Sequence, residues 1–177
     1  MKITHPASHI DDLLGQTRAH HVQLSSMADV KANMLLTMSS IVVTLAAPQV
    51  LKAGSQLPLI VLIVSSLTTI LLAAYSVMPK QPYKAKPPTP GSAETGPKRN
   101  LLFFGDFLGL TYAQYEAEME TLLNDPSAVY EVQVREIYTL GVFLAETKYR
   151  YLRLAYLTFI GGLFVSVLTL LFSGGMH

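Results

Sequence analysis

LPLIVLIVSSLTTILLAAYSVM, residues 57–78, runs 22 positions without an Asp, Glu, Lys, Arg or His. A helix that crosses a bilayer needs about 20 predominantly apolar residues, because in hydrocarbon the segment has to satisfy its own backbone polar groups. Two further stretches read the same way. MLLTMSSIVVTLAAPQVL (34–51) covers 18 residues and LAYLTFIGGLFVSVLTLLFS (154–173) covers 20, again with no ionisable side chain. The fold class follows: an all-α integral membrane protein with three transmembrane helices.

The charges around the spans predict the orientation. With the amino terminus inside, the cytoplasmic parts carry 12 of the 13 Lys and Arg residues, and the outer side carries only Lys52. Lys and Arg accumulate on the cytoplasmic side of membrane proteins, so the amino terminus is expected in the cytoplasm and the carboxyl terminus outside. All twelve acidic residues fall on the same inner side, and the formal net charge is only +1. That near-neutral balance argues against binding a nucleic acid polymer. Half of the residues are hydrophobic, and the mean hydropathy is +0.36. The absence of Cys excludes disulfides, thiolate chemistry and Cys-ligated zinc, and suits a chain whose polar mass sits in a reducing compartment. The first 30 residues scatter His, Asp and Arg among apolar positions, which is not the pattern of a cleavable signal.

The polar segments read as helices with a coiled-coil period. Ile10, Leu14, Thr17, His21, Leu24, Ala28 and Lys31 step by four and three, and Tyr130, Val134, Ile137, Gly141, Leu144, Lys148 and Tyr151 repeat the alternation. Such spacing marks helices that pack side by side. Neither series meets a break before its span, so two of the spans are expected to extend as long cytoplasmic helices. At ~1.5 Å per residue, residues 10–32 and 126–153 would reach ~35 and ~42 Å beyond the membrane. The expected organisation is a cytoplasmic amphipathic helix (1–32), a first span (33–51), an outer loop (52–56) and a second span (57–78). A cytoplasmic Pro-rich linker and apolar docking segment (79–110), cytoplasmic helices (111–153), a third span (154–173) and an outer tail (174–177) complete it.

Residues 79–99 hold six of the ten prolines, together with Lys80, Lys84 and Lys86. This composition predicts an extended tether with some affinity for anionic headgroups. Leu101, Phe103, Phe104 and Phe107 are too apolar for water and too few to span, so they are expected to dock on the bundle or at the headgroup layer. Thr111 with Gln114 forms a capping box, and Leu110 with Tyr115 a staple across it, opening a short helix that stops at Asn124. Asp125 then caps the last helix, with Pro126 in its first turn.

Enzymatic chemistry finds no support. The sequence contains no phosphate-binding Gly-rich loop, H-E-x-x-H, nucleophile elbow or metal-spaced carboxylate cluster, and the chain is expected not to be an enzyme. Neighbouring His20 and His21 point in different directions on a helix, which favours a solvated His20 beside a seam His21 over a metal pair. The spans carry hydroxyls, such as Thr37, Ser40 and Thr44 or Ser65 and Thr69, but no ionisable group, so ion-coupled transport is disfavoured. Two stripes, Ser65–Thr69–Ala73 and Gly162–Ser166, suit close helix packing. A single bundle is expected to hide too little of them, which predicts a homo-oligomer.

The neck, where both long helices enter the membrane, remains. It reads ADVKAN at 28–33 and ETKYRYLR at 146–153. Lys148 and Lys31 fall on the apolar register, where a cation is costly unless paired. Either they pair internally with Asp29 or Glu146 while Arg150 and Arg153 reach lipid phosphates, or they grip a small anionic ligand, with Tyr138 or Tyr149 stacking on a flat group.

The runs ADVKANMLL (28–36), NLLFFGDF (100–107), IYTLG (137–141) and KYRYLRLAY (148–156), in this order, resemble the transmembrane Pycsar effector family over residues 20 to 170. The resemblance implies a bacterial inner-membrane protein of anti-phage defence. In that family a partner cyclase makes cyclic UMP or cyclic CMP, and the effector responds by impairing the inner membrane. The expected ligand is then a cyclic pyrimidine mononucleotide, with no other cofactor and no metal. Its candidate binding residues are Asp29, Lys31, Asn33, Arg135, Tyr138, Lys148, Tyr149 and Arg150. The competing expectation is a non-enzymatic, membrane-anchored helical scaffold without a nucleotide ligand.

Overall fold

The computed structural model describes residues 8–53, 56–78 and 100–174. Most of the expected Pro-rich linker, 79–99, lies outside the described residues, as do part of the outer loop, most of the outer tail and the Phe104 side chain. Every regular element described is helical: α1 (Ser8–Ala53), α2 (Leu57–Val77), α3 (Phe104–Phe107), α4 (Tyr112–Leu123), α5 (Pro126–Phe143), a π segment (Leu144–Tyr149) and α6 (Arg150–Gly174). Three helices are long and apolar enough to cross a membrane. α1 is a single helix of 46 residues that absorbs Pro48 near its end. On the other side, α5, the π segment and α6 follow one another in sequence without a loop.

The chain divides into two compact units, one of Met1–His21 with Pro79–Val142 and one of Val22–Met78 with Phe143–His177. The second unit contains the apolar parts of all three spanning helices. Its core sets four alanines beside two leucines: Ala28, Ala32 and Leu35 of α1, Ala73 of α2, and Leu152 and Ala155 of α6, flanked by Tyr149, Tyr156 and Phe159. Lipid exerts no hydrophobic pressure between helices, so close backbone approach through small residues supplies the cohesion. Ser39 Oγ and Ser66 Oγ are buried without a hydrogen-bond partner, whereas other interior hydroxyls are served. Thr69 Oγ1 donates to Ser65 O at 2.8 Å and Ser76 Oγ donates to Ala73 O at 2.8 Å. Ser166 Oγ crosses from α6 to donate to Pro58 O of α2 at 3.0 Å. Leu45, Leu71, Phe164 and other large apolar side chains face outward, as lipid contact requires.

This packing corrects two expectations. The small-residue stripes are consumed within one chain: Thr69, Ala73 and Ser166 are buried, and Gly162 abuts Ser65. They therefore do not by themselves call for a second copy. Lys31 is exposed rather than in the seam. The buried positions on α1 run Ala28, Ala32, Leu35, Ser39 and Ala46, stepping to 32 where a strict heptad would step to 31. A straight helix of 3.6 residues per turn drifts by about 20° per heptad, and that drift carries Lys31 out of the contact.

In the first unit, taken by itself, the start of α1 meets α5 and α3 meets α4. Arg18 pairs with Glu136 at 3.1 Å, and a Cβ built on Gly141 would meet the His21 ring at 3.4 Å. His20 is exposed, so the solvated and seam positions fall as the spacing predicts. α4 opens on the expected capping box, with Gln114 N donating to Thr111 Oγ1 and Thr111 N donating to Gln114 Oε1. Its C-cap is Asn124. Asp125 Oδ1 accepts from the N–H groups of Ser127 and Ala128, at 2.9 and 3.3 Å, and Pro126 takes the first turn of α5. The Tyr115 ring packs on Phe107, at 4.9 Å between centroids, so the aromatic segment anchors the helix start. Leu101 is buried, while Phe103 remains 40% exposed.

A candidate ligand site at the neck

Lys148 lies within the π segment and carries the densest polar contacts of the membrane unit. Its Nζ donates to both carboxylate oxygens of Asp29, at 2.7 and 2.8 Å, and to Ser25 Oγ at 2.8 Å. An ammonium has three N–H groups, and this one faces a carboxylate with both its oxygens and one hydroxyl. The next residue is fastened to the same stretch of α1, with Tyr149 Oη donating to Leu24 O at 3.2 Å. The Lys148 side chain is 13% exposed and that of Asp29 42%. A pair so placed is neither in bulk water nor fully dehydrated: an exposed pair contributes about 0–1 kcal/mol, and removing one partner of a buried pair costs about 3–5 kcal/mol.

The structure thus brings together three of the residues singled out from sequence, Asp29, Lys148 and Tyr149. Of the two counter-ions expected for Lys148, Asp29 is the one engaged, and Glu146 is exposed. Lys31, Asn33 and Arg150 are exposed, and the Asn33 carbonyl accepts from Thr37 Oγ1 at 2.9 Å. Arg135 and Tyr138 belong to the first unit, where Arg135 pairs with Glu131 at 3.0 Å and Tyr138 is exposed.

Two contributors escaped the sequence reading. Ser25 stands four residues before Asp29, on the same face of α1 one turn away, so its place beside Asp29 as an acceptor for Lys148 was accessible from spacing. The π segment was not. Its effect is visible only in burial, where Leu144, Lys148, Leu152 and Ala155 share one inward face. Two successive steps of four overshoot an α-helical turn by about 40° each, and the wider π turn absorbs the excess. Isolated π turns of this kind are rare and concentrate at functional sites. Nearby, Tyr75 of α2 and Tyr151 of α6 meet edge to face at 4.5 Å between ring centroids, adding a second aromatic tie at the same level. Among the described residues no group of three or more His, Asp or Glu is placed to hold a metal ion.

The arrangement is a cation held against an anion by two helices at the edge of their apolar segments. Chemically it can bind or exchange anions; it offers no activated nucleophile. The family model described as the Pycsar effector protein domain matches residues 12–173, nearly the whole chain. Comparison with curated proteins and with solved structures gives no match.

Proposed function

The chain belongs to the Pycsar effector protein domain family, and on that premise we propose that it is a non-enzymatic anti-phage effector of the bacterial inner membrane that senses a cyclic pyrimidine mononucleotide, cyclic UMP or cyclic CMP. The ligand binds on the cytoplasmic side, and the response impairs the membrane. The single observation that carries this reading is the family match across all three spans. The 12:1 distribution of Lys and Arg supports a cytoplasmic neck with the carboxyl terminus outside. In this proposal Lys148 meets the phosphodiester, Tyr149 offers a ring to the base, and Lys31, Asn33 and Arg150, exposed at the same level of the sequence, supply further polar contacts. Binding acts by favouring one of two packings of the helices, which requires different affinities for the two. A homo-oligomer is part of the proposal. Its support is a hydroxyl stripe left outside the bundle, Thr37, Ser40 and Thr44, which with Leu36, Ile41 and Leu45 lines a shallow depression on α1.

A specific observation favours a second reading. Because Asp29 already neutralises Lys148 and Ser25 adds a hydrogen bond, the neck is also what a helical scaffold without a ligand would show. Thermal unfolding of the detergent-solubilised protein against a panel of cyclic mononucleotides separates the two. A nucleotide present at 100 times its dissociation constant stabilises by about 2.7 kcal/mol. A rise in Tm with a cyclic pyrimidine nucleotide is expected; no shift with any member of the panel would sustain the scaffold.

A further inference from the structure

Three features coincide at the neck. A π segment, Leu144–Tyr149, directly precedes α6. Two successive residues within it are tied to α1, Lys148 through Asp29 and Ser25 and Tyr149 through the Leu24 carbonyl. The face of α6 that enters the bundle, Leu152, Ala155 and Ser166, is phased by that same segment. A π turn holds one residue more than the α turn it replaces and has no preference of its own to persist, so its tertiary ties maintain it.

We propose that the Asp29 carboxylate is a built-in stand-in for an anionic ligand, and that its grip on Lys148 latches the π turn and thereby the rotational setting of α6. The inference rests on the proposed function for the identity of the ligand, but not for the latch itself. Since both carboxylate oxygens of Asp29 and the Ser25 hydroxyl lie against this ammonium, a phosphate that takes over as its counter-ion displaces Asp29. The displaced carboxylate and the incoming anion then repel each other, which keeps the exchange from stopping halfway. Once Lys148 is free of α1, the π turn relaxes to α. The residue released into the regular helix turns everything beyond it by about 100° and advances it by about 1.5 Å. Leu152, Ala155 and Ser166 then leave their places against α1 and α2, and the Ser166–Pro58 hydrogen bond and the Tyr75–Tyr151 ring contact are lost. A local exchange of anions thus becomes a repacking of the membrane unit.

The chain has no Cys, so paired spin labels can be placed at Met38→Cys on α1 and Phe164→Cys on α6, both outward-facing positions. With side chains extending about 5–6 Å from the helix axis, a 100° turn of α6 moves its label by about 8 Å. The proposal expects Asp29→Asn to shift the label-to-label distance by several Å without any ligand. Lys148→Met, which removes the part-buried cation and leaves the 42% exposed Asp29 carboxylate to water, is expected to do the same, and carries the test if Asp29→Asn fails to fold. Deleting Ala145, an exposed residue inside the π segment, removes the extra residue while keeping α6 in phase. The deletion variant is therefore expected to keep the native distance even when combined with Asp29→Asn. Folded Asp29→Asn and Lys148→Met variants with unchanged distances would overturn the latch, as would a shift that survives the Ala145 deletion. If the variants shift as expected but no cyclic nucleotide moves the labels in the otherwise native chain, the latch stands and the nucleotide reading falls.

Discussion

Neighbouring glycines in the third span show how far a single residue's role depends on what faces it. A Cβ on Gly162 would collide with the Cβ and Oγ of Ser65, whereas nothing lies within 4 Å of the corresponding position on Gly161. Gly162→Ala should therefore destabilise the detergent-solubilised protein by about 1–3 kcal/mol through overpacking, and Gly161→Ala should be neutral or stabilising by up to about 1 kcal/mol, since Gly is the poorer helix former. Thermal unfolding of both, with Ser65→Gly as the rescue of Gly162→Ala, checks the assignment; equal effects of the two alanines would refute it. Tyr130 gives a second residue-level prediction. Its hydroxyl donates to Asp11, and that hydrogen bond, with burial and the carboxylate charge, raises the phenol's pKa above its usual value of 10.0. A group whose folded pKa is raised contributes stability that is complete below its unfolded pKa and is lost as pH rises through the folded one. Stability should therefore fall on the alkaline side above about pH 10, and Tyr130→Phe should flatten that limb in a pH series of unfolding curves. The sequence sets Gly161 and Gly162 side by side and does not rank them, because the difference lies in α2, not in the glycines.

Among the elements, those governed by local chemistry were legible. The capping box at Thr111, the stop at Asn124 and the Asp125–Pro126 start all stand where side-chain type and spacing put them, because each satisfies backbone groups within three or four residues. α4 buries none of its side chains, so its caps carry an unusual share of its stability. Thr111→Ala should cost about 1 kcal/mol and raise amide exchange first within Tyr112–Leu123, whereas uniform exchange across α4 and α5 would show that packing holds the helix. The π segment and the outward turn of Lys31 were not legible. Both arise from the mismatch between a 3.5-residue pattern and a 3.6-residue helix, which α1 resolves by drifting and the other side by inserting a wider turn. The heptad predicted that Lys148 needs a counter-ion, and the structure supplies one, yet the segment's geometry depends on contacts with a helix more than a hundred residues away in the chain.

At the scale of the whole molecule, the three spans were plain from composition alone, since hydropathy over about 20 residues needs no knowledge of partners. Which small residues face inward was not plain, and it changes the argument for assembly. Ser66, Thr69, Ala73 and Ser166 are buried within one chain and leave no stripe for a second copy, while Thr37, Ser40 and Thr44 stay exposed on α1. The Thr37 and Thr44 hydroxyls donate to the carbonyls one turn earlier, at 2.9 and 2.8 Å, so this face is self-satisfied and small, as a close helix contact in lipid requires. Ser40→Leu puts a large side chain at its centre without touching the monomer's interior, and leucine is at least as favourable as serine against lipid. Loss of the homo-oligomer is therefore expected in Ser40→Leu, read by chemical crosslinking or mass measurement in mild detergent. Monomer stability should remain unchanged, and Leu71→Ala, on an outward face of α2, should leave assembly intact. A monomeric parent protein, or an oligomer indifferent to Ser40→Leu, would remove α1 as the assembly face. The proposed membrane response would then have to arise within a single three-helix bundle, through the setting of α6 alone.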